Sequence, residues 1–112
     1  MDEAVRKLAA LGLPGVILLI TISSTGLAGA AAITAALAVL GPAGMLGGIL
    51  FLGVVGIAGD FVSKVGLEAA LKAVYLERMR QGSSIDQILG EIDQLLVSSD
   101  MKRFLKEAVR KP

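Results

Sequence analysis

Ser23, Ser24, Ser83 and Ser84 carry hydroxyls that could serve as nucleophiles, but the chain has no histidine to activate them. The absence of histidine also removes the commonest general base and metal ligand. Cysteine is absent too, which excludes disulfides and thiolate metal sites. The glycines follow no strand and do not have the spacing of a phosphate-binding loop. These residue types predict a protein that is not an enzyme, with no catalytic residue, no cofactor and no metal.

Asp60 is the one acid close to a long apolar stretch. A carboxylate inside a membrane is by default a candidate proton or ion site. Lys64, one turn later, gives the other reading: a residue at the boundary, in an ion pair whose acid-first order suits a helix. Thr21, Ser23, Ser24 and Thr25 form a polar patch that would line a conduit or meet a partner helix, or return its hydrogen bonds to its own helix carbonyls.

The remaining candidate residues act through their smallness. Gly44 and Gly48 form a GxxxG pair, and Gly53, Gly56 and Gly59 follow at intervals of three. Ala28, Ala32 and Ala36 repeat every four residues, with Gly29 beside them. Lipid gives helices no hydrophobic drive to associate, so association rests on close backbone approach, which small residues permit. These faces would pack a helical hairpin on itself. Both arms carry one, more than a single intramolecular contact requires, so contact between copies is expected as well.

The elements that place these residues follow from the charge pattern. From Leu8 to Gly59 there are 52 consecutive residues without Asp, Glu, Lys or Arg. A spanning helix needs roughly 20 apolar residues, so the stretch accommodates two spans and a turn. The first is expected from about Val16 to Leu40, after an amphipathic lead-in interrupted at Gly12, Pro14 and Gly15. Gly41 and Pro42 mark the turn, and the second runs from about Ala43 to Gly59. Leu46, Ile49, Leu50, Phe51, Leu52, Val54, Val55 and Ile57 would favour insertion by about 2 to 5 kcal/mol together. Six glycines dilute that gain, so this span should depend on helix partners. A secretory signal also combines Arg6 and Lys7 with an apolar run, but Asp2 and Glu3 fit its start poorly. Arg6 and Lys7 precede the hairpin, Lys64, Lys72, Arg78 and Arg80 follow it, and the turn has no basic residue. An integral membrane protein with both termini in the cytoplasm is expected.

The last third is amphipathic. Leu67, Ala70, Leu71 and Val74 recur at helical spacing to about Arg80, and Gly82 ends that helix. Ser84 is placed to cap a helix with the stripe Ile85, Ile88, Leu89, Ile92, Leu95 and Leu96, Gln87 completing a capping box. Ser98 or Ser99 caps a final helix carrying Met101, Phe104, Leu105 and Val109. The first of these helices is acidic (Asp86, Glu91, Asp93) and the last basic (Lys102, Arg103, Lys106, Arg110, Lys111), so they suit an antiparallel pair. The basic helix suits anionic lipid equally. A unit this small has too little core to stand alone and must dock on helix 67–80, another subunit or the membrane.

The stretch GLAGAAAITAALAVLGPAGMLGGILFLGVVGIAG, Gly26 to Gly59, resembles the glycine- and alanine-rich segment of the small interferon-inducible membrane proteins. It also resembles a set of short bacterial membrane proteins with the same hairpin and a charged helical tail. The resemblance covers about a third of the chain and implies a role in membrane perturbation or in antiviral and stress responses. The tail from Leu67 to Pro112 lies outside the interferon-inducible pattern.

Together these features predict an all-α membrane protein: a lead-in over 1–12, a two-span glycine-rich hairpin over 13–62 and a cytoplasmic helical tail over 63–112. The expected partners are the lipid bilayer, further copies of the chain and a protein bound through the tail. A net charge of +1 argues against nucleic acid. The leading expectation is a self-associating effector that permeabilises or remodels a bilayer. A holin-like or toxin-like lysis protein, and an accessory subunit anchoring a soluble partner, are the alternatives.

Overall fold

A computed structural model describes the backbone of residues 2–25 and 44–111, and the side chains of residues 3–23 and 57–111. The described residues form five helices and no strand: α1 (Asp2–Ala10), α2 (Leu13–Thr25), α3 (Gly44–Arg80), α4 (Ile85–Gln94) and α5 (Ser99–Arg110). The expected turn at Gly41-Pro42 and the rest of the first span lie outside them.

Gly12 separates α1 from α2. Its φ of 72° lies in the left-handed region, where glycine is tolerated at no steric cost. Its N–H closes α1 on the Ala9 carbonyl, and its own carbonyl accepts from Gly15 and Val16 to open α2. Pro14 sits in the first turn of α2, where its missing N–H costs no helix bond. The two helices are bent 118° from one another. They touch closely, because a Cβ on Gly15 would lie 2.3 Å from the Leu8 carbonyl oxygen.

α3 is not one continuous helix. Gly66 breaks it with φ 84° and ψ 163°, a backbone conformation almost confined to glycine. The sequence pattern places a helix from residue 67 to about 80 but gives no sign of this break. The C-terminal end closes as expected at Gly82, with Ser83 N–H on the Arg78 carbonyl and Gly82 N–H on the Met79 carbonyl. Ser84 Oγ accepts from Gln87 N–H at 3.2 Å and Ser98 Oγ from Met101 N–H at 3.1 Å, so serines cap α4 and α5.

One continuous core runs from Ala4 to Val109. α1 and α2 both pack on α3, and the α4–α5 pair closes against the second half of α3 through α5. The lead-in is therefore part of this core: Ala4, Leu8 and Ala9 are buried, and Gln81 Nε2 donates to the Arg6 carbonyl. Val16, Leu18, Leu19 and Ile22 of α2 are buried too, so one face of this apolar helix is packed into the core. The tail stripes behave as expected at Ile88, Ile92, Leu105 and Val109, each buried. Fully burying such a side chain contributes about 1.5–3 kcal/mol. Ile85 and Leu96 depart from the stripe and are exposed.

Candidate functional site

Asp60 sits on the exposed side of α3. Its carboxylate pairs with Lys64 Nζ at 3.1 Å, with both side chains about two-thirds exposed (65% and 63%). The geometry is that of a solvated pair at one helix face. Gly59, its neighbour, is half-buried in the same helix. Gly44, Gly48, Gly53 and Gly56 lie within helical backbone, with their surroundings outside the described side chains; Ala28, Ala32 and Ala36 lie outside the described residues altogether. Thr21 Oγ1 donates to the Ile17 carbonyl at 2.8 Å, the local return bond that makes a hydroxyl tolerable on an apolar helix.

The structure assembles a polar cluster that the sequence pattern does not announce. Tyr75 and Arg78 project from the second half of α3, and Glu91 meets them from α4. Tyr75 is fully buried and Arg78 is 4% exposed. Glu91 Oε1 accepts from the Tyr75 hydroxyl at 3.0 Å and from Arg78 Nη1 in a short ion pair. The Arg78 guanidinium also lies 5.5 Å from the centre of the Tyr75 ring, within cation–π range. Burial holds the Tyr75 pKa well above its ordinary value, and the Glu91 charge and hydrogen bond push it the same way. Arg78 reads in the sequence as one of several basic residues flanking the hairpin. Its buried role was detectable only as a basic residue four positions after Val74, on the same face as the apolar stripe.

The oppositely charged faces of α4 and α5 do meet. Lys106 Nζ pairs with the Asp93 carboxylate, and Lys102 Nζ donates to the Asp93 carbonyl at 2.8 Å. The Lys106 hydrogen bond holds the Asp93 carboxyl below its usual pKa. Arg103 pairs within its own helix to Asp100 at 3.4 Å, and Arg110 and Lys111 stay exposed. Among the described residues, no three His, Cys, Asp or Glu side chains gather as a metal site.

Among the described residues no single helix is long and apolar enough to cross a membrane; α1 and α2 together, as the bent pair Glu3–Ala10 and Leu13–Ser23, have the length and composition. The described residues are all-helical, with one face of the apolar α2 packed chiefly on α3. No family, curated protein or solved structure matches the chain.

Proposed function

We propose that this chain is a self-associating helical membrane protein that permeabilises or remodels a bilayer as an effector. The observation that carries the reading is the charge-free run from Leu8 to Gly59, with small residues repeating at intervals of three and four. A helix surface without charge that is not covered by protein is stable only in lipid, and small-residue faces are what lipid-embedded helices use to associate. The described fold adds a constraint. The buried face of α2 packs chiefly on α3 and also meets α1, so its entry into lipid requires it to come away from α3, and Gly12, at the bend between α1 and α2, is a break about which it would turn.

The test is dye release from liposomes reconstituted with the full chain. Release should rise more steeply than linearly with protein, because the few apolar helices of one copy cannot wall a conduit. No release at any protein-to-lipid ratio, with the protein floating with the vesicles, would remove the effector reading. A second reading, an accessory subunit anchored by the same segment, is favoured by Leu96, which stands 96% exposed on the tail. Under that reading the chain co-purifies with a partner in mild detergent and releases no dye.

A further inference from the structure

A cavity of about 380 Å³ opens between α2 and the end of α4. That volume lies within the ordinary range of small-molecule sites, about 300–1,000 Å³. Leu13, Ile17 and Ile20 form one wall, at the four- and three-residue spacing of a single helix face. Leu95 and Leu96 face them, and Glu91 borders the space among these apolar residues. Two further polar side chains border the space. Thr21 is bonded back to its own helix, which leaves the Gln94 amide and Glu91 as the groups that can orient an occupant.

The walls call for an alkyl chain, and Glu91 decides its head. Glu91 Oε1 takes both donors from α3, which fixes the carboxylate in place. A carboxylate is an acceptor with capacity for more than those two bonds. The head must therefore donate a hydrogen bond. Arg78 already balances the Glu91 charge, so a cation finds no net charge to pair with. A carboxylate head has no hydrogen to donate to Glu91. Leu96 stands at the edge of the cavity with its side chain almost wholly exposed, where an occupying chain would cover it.

We propose that this cavity binds the alkyl chain of a neutral, hydroxyl-headed, single-chain lipid taken from the bilayer, its hydroxyl donating to Glu91. The source, though not the chemistry, rests on the membrane reading above.

The experiment uses the full chain in phosphatidylcholine liposomes containing a monoacylglycerol with a photoactivatable group in its alkyl chain. Flotation of the protein with the vesicles checks membrane association independently, so failure of that reading is visible on its own. After illumination, the labelled residues should fall on residues 13–20 and 95–96, saturate with probe, and be displaced by monooleoylglycerol about tenfold more readily than by oleate, a difference of about 1.4 kcal/mol. Leu96→Asp, at a position exposed enough to leave folding intact, should reduce labelling severalfold. Glu91→Gln, if circular dichroism shows it folded, should narrow the preference over oleate. Labelling spread along the apolar segment without saturation, equal displacement by oleate and monooleoylglycerol, or unchanged labelling of Leu96→Asp would each overturn the assignment.

Discussion

At the scale of single residues, the Tyr75–Arg78–Glu91 cluster is where burial and charge meet. Two charges and a phenol are removed from water, and the arrangement persists only because each satisfies another. Removing one partner leaves a buried charge behind. Glu91→Ala should therefore cost about 3–5 kcal/mol, whereas the triple replacement Tyr75→Phe, Arg78→Met and Glu91→Leu should cost far less. Denaturant unfolding of the single and combined variants gives the comparison; equal losses would mean that the cluster acts by packing alone. Tyr75 adds a second, independent readout, since it is the chain's one tyrosine and there is no tryptophan. Its pKa is raised in the folded state by burial first and the Glu91 charge second. An unfolded tyrosine ionises near pH 10. Its contribution to stability is therefore complete below about pH 10 and is lost as pH rises further. Phenolate absorbance should not appear near pH 10 in the folded protein, and should emerge together with loss of helix at higher pH. An ordinary titration of the folded chain would contradict the buried hydrogen bond.

At the scale of elements, the positions that shape the helices are glycines with different jobs. Gly12 and Gly82 end helices, and the sequence reads them correctly because a glycine beside a polar or proline-bearing junction is a common stop signal. Gly66 breaks α3, yet its neighbours Val65 and Leu67 look like helix continued, and an isolated glycine inside a helical pattern is tolerated too often to mark a break. Gly15 reads as an interrupter of the lead-in, whereas its structural work is to admit the Leu8 carbonyl. The serine caps at Ser84 and Ser98 were legible because one side chain bonds a backbone group three residues on. The Arg78–Glu91 pair was not, because its partners sit 13 positions apart across a turn and only the docking of α4 brings them together. Local chemistry is written in local sequence; the polar cluster is a product of packing. The two glycines separate in a test. Gly66→Ala meets no atom within 4 Å, so its cost is backbone strain, about 1–3 kcal/mol. Gly15→Ala meets a backbone oxygen at 2.3 Å and should cost about 1–3 kcal/mol by overpacking. Loss of stability in the first should come with a change in the position of residues 67–80 relative to residues 57–65, read by spin-label distances. In the second, the change should lie between α1 and α2. A Gly66→Ala protein as stable as the parent would mean that the break is not needed.

At the scale of the whole molecule, the question is how a chain with one shared core would also supply the lipid-facing surface that the proposed function requires. The core joins α1, α2, α3 from Ala58 onward and the α4–α5 pair, and it already uses the apolar faces of the amphipathic helices. Those faces are not available to lipid while the core is closed. The surface that the proposed function assigns to copies of the chain is the small-residue segment, in which Gly48 and Gly56 lie on the first half of α3. If that segment mediates association, Gly48→Leu and Gly56→Leu should each shift the protein toward monomer in crosslinking of native membranes, by blocking close backbone approach. Leu52→Ile, which keeps volume, should leave assembly as it is. Dye release should fall in step with assembly for the glycine variants, since a conduit needs several copies to form its wall. Bulky variants that assemble and release dye like the parent would place self-association elsewhere on the chain, and a variant that assembles normally but loses release would separate association from permeabilisation.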